Sequence, residues 1–174
     1  MNDRVRQYKS ALHVFRRDLR LFDNSARRAA LQQSDLVATC LVLDDRQVGD
    51  HPYRSVNSLA FALESLEDFS SAIAAHGGRL LICAGDPATV VPALGTEAVL
   101  LNRDYTPFSQ ARDEAIETAC LDAGVASHAY DDALLVAPQA LHKDNGEPYT
   151  VFTPLSARPR IDRADAVASS QMQD

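Results

Sequence analysis

The chain has 174 residues, 46% of them hydrophobic, enough for one buried core and therefore one domain. Its formal net charge of −7 argues against a general nucleic-acid binder, which carries a basic excess, so direct DNA contact is not expected. No apolar run reaches bilayer length, and the N-terminal MNDRVRQYKS lacks a hydrophobic signal core, so a cytoplasmic protein without membrane contact is expected.

Ala11 to Phe15 is predicted to be the first strand, and Asp23 or Asn24 caps a helix running to about Gln33. Leu36 to Leu43 is apolar at nearly every position, which fits a strand buried on both faces of a parallel sheet. From Ser55 to His76, Leu59, Leu63, Leu66, Phe69 and Ile73 form a helical stripe that ends at Gly77-Gly78. Arg79 to Cys83 is the third strand, and Asp86-Pro87 opens a helix as cap and first residue.

Ala98 to Leu101 is the fourth strand, Thr106-Pro107 starts a helix to about Ala123, and Val125 to Tyr130 is a short fifth strand. This alternation predicts an α/β fold, a Rossmann-like doubly wound five-stranded parallel sheet, for which the common order 3-2-1-4-5 is taken as the expectation. Beyond Asp131 only Leu134 to Val136 and Tyr149 to Phe152 are apolar. Residues 1–10 read as an extension, 11–154 as the domain, and 155–174 as a polar tail whose composition predicts disorder.

In that order the switch point lies between strands one and four, and ligands bind beyond their carboxyl ends. Arg16, Arg17 and Asp18 leave strand one, Asn102, Arg103, Asp104 and Tyr105 leave strand four, and Asp44 and Asp45 follow strand two. For Asp23 and Asn24, capping is favoured over ligand contact. For Arg16 and Arg17, ligand contact and a salt-bridged corner with Asp18, Arg20 and Asp23 remain equal alternatives. A polar-tipped aromatic such as Tyr105 at a switch point suits a planar ligand.

Neither GxGxxG, GxxxxGK[ST], HExxH nor GxSxG occurs, so nucleotide, zinc-protease and hydrolase signatures are absent. Cys40, Cys83 and Cys120 form no CxxC pair and are expected to be reduced and buried; the five histidines, among them His13, show no ligand spacing.

Five segments in order resemble the DNA photolyase and cryptochrome family: FRRDLRLFDN (Phe15 to Asn24), HPYRSVNSLAFALESLEDF (His51 to Phe69), GGRLLICAGDP (Gly77 to Pro87), NRDYTPFSQARDE (Asn102 to Glu114) and GEPYTVFTP (Gly146 to Pro154). The resemblance implies the family's N-terminal α/β domain, which binds a light-harvesting antenna chromophore. By position it implies contacts from Phe15, Arg16, Arg17, Leu43, Asp44, Asn102, Arg103, Asp104 and Tyr105. Thr106 stands where folate-binding members tend to carry a glutamate, which favours a deazaflavin or FMN over folate.

In the family, a following helical domain holds FAD and splits pyrimidine dimers in DNA, a lyase reaction driven by light. This chain has no Trp, on which that domain depends. The expectation is therefore a truncated relative, an excised domain or the product of a shortened gene, without catalysis of its own. It could complement a separate FAD-binding helical domain through a face around Leu134 to Phe152, or self-associate as a homodimer. A generic nucleotide-binding α/β protein and a non-functional remnant are the alternatives.

Overall fold

The computed structural model describes residues 6–49, 55–132, 134 and 146–147. Five strands, β1 (Tyr8–Phe15), β2 (Ser34–Leu43), β3 (Leu80–Ala84), β4 (Ala98–Asn102) and β5 (Ala126–Tyr130), alternate with helices. The helices are α1 (Ser25–Gln33), α2 (Asp45–Val48), α3 (Val56–Ala75), α4 (Pro87–Ala93) and α5 (Pro107–Asp122). Neighbouring strands are all parallel, in the order β3-β2-β1-β4-β5, as the alternation predicts.

These elements belong to the unit that ends at Asp132. The GEPYTVFTP segment beyond Glu147, the apolar pieces after Leu134, the tail and the His51 end of the second segment lie outside the described residues. No described helix is long and apolar enough to cross a membrane.

Alternation along β1 sorts the two layers. Leu12 and Val14 join Val91 of α4 and Ile116 and Cys120 of α5 in one apolar cluster. On the opposite face, Ala11 packs on Ala26, Ala29 and Ala30 of α1, while Phe15 packs on Leu66, Phe69 and Ile73 of α3. Three alanines on α1 let the helix backbone lie close to the strands. β4 is buried at every residue, as expected of a strand flanked on both sides and covered on both faces.

The helix boundaries follow local chemistry. Asn24, Asp86 and Thr106 each accept a backbone N–H as N-cap, and Pro87 and Pro107 take the first turns, where no intrahelical donor is needed. Gly77 (φ 76°) and Gly124 (φ 69°) follow the C-caps of α3 and α5 in the left-handed conformation that stops a helix.

Four expectations change. β1 and β2 begin earlier, at Tyr8 and Ser34, which pair with each other. β2 is not buried along its length: β3 reaches only Thr39 to Leu43, so Leu36 is 72% exposed beside an uncovered edge. The α3 stripe is buried only at Leu66, Phe69 and Ile73, the residues that pack with Phe15, while Leu59 is half-buried and Leu63 exposed. Cys40 and Cys120 are buried as expected, whereas Cys83 is half-buried because its strand lies at the sheet edge.

His13 is fully buried on the α1–α3 face, edge-on to Phe15 at 4.2 Å between ring centroids. Its Nδ1–H donates to the Leu100 carbonyl at 3.2 Å, and Nε2 has no partner among the described residues. Burial drives its pKa down to about 4, against the opposing pull of Asp18. The folded state therefore disfavours imidazolium, so stability present above the unfolded pKa of about 6.5 is lost as pH falls toward 4. Urea unfolding at pH 7 and pH 5 should show His13 removing roughly 2 kcal/mol of stability. His13→Leu should flatten that decline, and an unchanged decline in the variant would refute the assignment.

Candidate functional site

The switch point between β1 and β4 is closed by side chains. Asn102, the last residue of β4, is 6% exposed and donates through Nδ2 to Asp18 Oδ2 at 2.6 Å and Asn24 Oδ1 at 2.9 Å. Its Oδ1 accepts the Ala26 N–H at 3.0 Å. Asn24 also donates to Asp18 Oδ2 at 3.0 Å, and Asp18 Oδ1 accepts the Arg16 N–H at 2.9 Å.

The first amides of α1 are consumed in turn: Ser25 N–H by Asp132 at 2.7 Å, Ala26 by Asn102 and Arg27 by Asn24 at 3.0 Å. In dinucleotide-binding sheets this helix end holds the pyrophosphate. Here it is filled from within, which counts against the generic nucleotide-binding reading on structural grounds as well as the missing glycines.

The charged corner anticipated around Arg17 and Arg20 exists, but with other partners. Arg17 pairs with Asp104 at 3.5 Å and Arg20 with Asp132, while Asp18 serves the amides and Asp23, in a left-handed turn at φ 51°, accepts from Arg20 Nε through its backbone carbonyl at 2.6 Å and not through its carboxylate. Arg103 pairs with Asp131 at 3.6 Å, and Tyr105 donates its hydroxyl to Asp131 at 2.6 Å. Burial and then the Asp131 carboxylate push the Tyr105 phenol up to about 12. Burial raises the Asp104 pKa, but the Ser109 hydroxyl, the Thr106 amide and Arg17 outweigh it, and the net shift is downward.

An open cleft of about 620 Å³ lies beside this knot, over the carboxyl ends of β1 and β2. Val14, Leu41 and Leu43 supply its strand side, and α3 supplies Ser58, Phe61, Ala62, Ser65 and Leu66. Asp44 and Gln47 at α2, Pro87 at α4, Arg112 and Ile116 on α5, and Arg16 and Arg17 after β1 also line it. Of the nine residues expected at the site, Arg16, Arg17, Leu43 and Asp44 line this cleft. Phe15 lies in the core against Phe69, Asn102 in the knot, and Arg103 and Tyr105 beside Asp131; Asp104 reaches the cleft through its pair with Arg17 and its electrostatic interaction with Arg112.

Cleft polarity is set by paired charges. Asp44 caps α2 and accepts a forked contact from Arg46, at 2.9 Å from Nε and 2.6 Å from Nη2, which holds its carboxyl below the usual range. Arg16 reaches Asp113 and the Asn102 carbonyl, and burial lowers its pKa against the pull of Asp113. Arg112, 6% exposed, contacts the same Asp113 at 3.2 Å. Phe108 lies between Arg46 and Arg112, whose guanidinium carbons are 5.2 and 6.0 Å from its ring centre.

Sequence reasoning missed Arg112, Asp113, Phe108 and the α3 wall. One signal was available for Arg112: it occupies the same helical stripe as Ser109, Ile116 and Cys120, all buried on α5. Such a site offers apolar walls and fixed cations, suited to holding a planar, electron-rich or anionic molecule. Its carboxylates at Asp44 and Asp113 are committed to arginines, so the cleft holds no evident general base among the described residues.

The DNA photolyase family model matches residues 11–169. An uncharacterized 31.6 kDa protein from the atpI 5' region of Synechococcus sp. (strain PCC 6716) is 36% identical over 149 residues, covering 82% of this chain and 52% of that protein. The deoxyribodipyrimidine photo-lyase of Agrobacterium fabrum is 32% identical over 149 residues, covering 80% of this chain and 29% of the enzyme.

Among solved structures, an archaeal photolyase from Sulfolobus tokodaii superposes with TM-score 0.75 at 34% identity, over 84% of this chain and 33% of that one. That protein holds two FAD molecules, with the implication of a novel light-harvesting cofactor. A bacterial class III photolyase from Agrobacterium tumefaciens gives TM-score 0.76 at 28% identity, over 89% and 33%. The chain thus spans about half of the first relative and about a third of the others.

Asn102 is the residue on which the closed switch point turns. Asn102→Ala leaves Asp18, Asn24 and the Ala26 amide short of a buried partner and should cost about 2–4 kcal/mol. Urea denaturation measures it; a loss below about 1 kcal/mol would show that water replaces the amide without penalty.

Proposed function

The chain belongs to the DNA photolyase family, as an N-terminal α/β domain, and from that membership we propose that its cleft binds a light-harvesting antenna chromophore. The ligand is a planar flavin-type ring, a deazaflavin or FMN in preference to folate. Excitation collected there would serve an FAD-bearing helical domain that repairs pyrimidine dimers in DNA, in the same protein or in a partner.

The observation that carries the reading is the cleft itself. About 620 Å³ falls within the range of small-molecule sites, and Phe61, Leu66 and Leu43 offer apolar surface to a ring while guanidiniums face its polar edges. An antenna needs shape, stacking and hydrogen bonds, not a nucleophile, and the committed carboxylates are consistent with that. The Sulfolobus tokodaii photolyase, 34% identical, supplies a relative for which a second FAD implies a light-harvesting cofactor. Thr106, which stands in place of a folate-binding glutamate, is used as the α5 cap and bonds Ser109 at 2.8 Å.

The test is a titration with 8-hydroxy-5-deazaflavin, FMN and methenyltetrahydrofolate followed by absorbance and fluorescence. Saturable binding of one of the first two, at least roughly tenfold tighter than folate, is expected. Ala62 lies on the exposed flank of α3 and lines the cleft, so Ala62→Trp should fill it and abolish binding. Its melting temperature should change little, since Trp costs a helix only about 0.5 kcal/mol. Absence of binding by all three chromophores would overturn the proposal.

A further inference from the structure

The sheet ends at β3, whose outer side is open. Leu80 to Ala84 are each matched to a residue of β2, from Thr39 to Leu43, and among the described residues no strand pairs with the other side. Two bonds fix the direction of the free groups. Gly85 donates its N–H to the Leu43 carbonyl at 3.0 Å, and the Arg79 carbonyl accepts the Thr39 hydroxyl at 2.9 Å. Odd-numbered residues of this strand thus turn their backbone toward β2. Polar groups alternate along a ladder, so the N–H and C=O of Leu80, Ile82 and Ala84 point away from the sheet.

Open edges are ordinarily blunted by charge, proline or a bulge. β3 has none of these: its sequence LLICA is apolar, its register is unbroken, and Ile82 is 50% exposed. The opposite edge is better covered. β5 is half-buried at every position, and its His128 bonds the Tyr8 hydroxyl at 2.7 Å.

Charge distinguishes the two ends of the open edge. At its start stands Arg79, exposed and without an ion pair among the described residues. At its finish Asp44 and Asp86 outnumber Arg46, and the Asp86 side chain is 56% exposed. A second β3 laid alongside in the same direction would bring like charges together. Laid antiparallel, it sets acid against base at both ends.

We propose that β3 is a self-association edge, through which two copies of this chain join antiparallel about a two-fold axis at Ile82 and form one continuous sheet. Ile82 then faces its own counterpart, and Leu80 faces Ala84. These residues carry the outward groups, so each facing pair exchanges both of its N–H···O bonds, about six in all. Each Arg79 arrives at the end of the other copy's strand where Asp86 lies. Such a contact is isologous and closes on itself, so assembly stops at two. The strand is short and the interface small, which sets a dissociation constant on the order of 10 µM.

Sedimentation velocity of the full chain from about 1 to 200 µM tests the pairing. A reversible monomer–dimer equilibrium is expected, weakened by salt as it screens Arg79 from Asp86. Ile82→Lys sets like charges against each other on the axis and should weaken the dimer at least roughly tenfold. Its melting temperature should change little, since the Ile82 side chain is already half in solvent. Arg79→Glu should weaken the dimer and reverse the effect of salt. Facing residues of a hydrogen-bonded pair lie about 5.5 Å apart, within disulfide reach, so Ile82→Cys should crosslink to its own copy on mild oxidation. Leu36→Cys, exposed on β2 beyond the reach of β3, should not.

A chain that stays monomeric across that range overturns the proposal. So does a dimer that Ile82→Lys leaves intact, growth past the dimer, or equal crosslinking at Leu36. Each of those results leaves the chromophore reading untouched, because the edge and the cleft are tested by different measurements.

Discussion

The hydrogen-bonded knot of Asp18, Asn24 and Asn102 is the constraint around which the functional end of this domain is arranged. One carboxamide at the end of β4 joins the loop after β1 to the first turn of α1. All three residues are polar, and Asn24 and Asn102 are buried, so each donor and acceptor must be met within the protein. The knot fixes the β1–α1 loop, and with it the point from which Arg16 and Arg17 depart.

Closing the switch point has a direct functional consequence. A doubly wound sheet ordinarily offers its ligand the gap between its two central strands, with a helix N-terminus ready for phosphate. Asp132, Asn102 and Asn24 take those amides, and the space left for a ligand moves sideways, over β1 and β2. The cleft owes one wall to α3, through Ser58, Phe61, Ala62, Ser65 and Leu66. The same first half of the helix exposes Val56, Phe61 and Leu63.

Charge in this region is organised by shared partners, not by simple pairs. Asp113 serves Arg16 and Arg112, Arg46 serves Asp44 and Asp86, and Asp131 serves Arg103 and Tyr105. Exposed pairs of this kind contribute little to stability. The Arg16–Asp113–Arg112 group is different, because its members are largely withdrawn from solvent and removing one partner would leave a buried charge.

The fold was legible in the chain. Apolar runs of strand length, Asn24, Asp86-Pro87 and Thr106-Pro107 as helix starts, and Gly77 and Gly124 as stops are local signals, and they set the alternation that yields the parallel sheet. The capping role of Asn24 and the gathering of Arg16, Arg17 and Asp44 at one end of the sheet followed from the same logic, since residues leaving parallel strands share one edge, whereas Leu43 came from the family resemblance. Which gap at that edge stays open was not legible. It depends on Asn102 meeting Asp18 84 positions away, on Arg16 at the end of β1 reaching Asp113 on α5, and on which side chains of α3 come to line the cleft. Local propensity and period place residues on elements; only packing between elements remote in sequence determines which polar side chains satisfy each other and which are left facing a cavity.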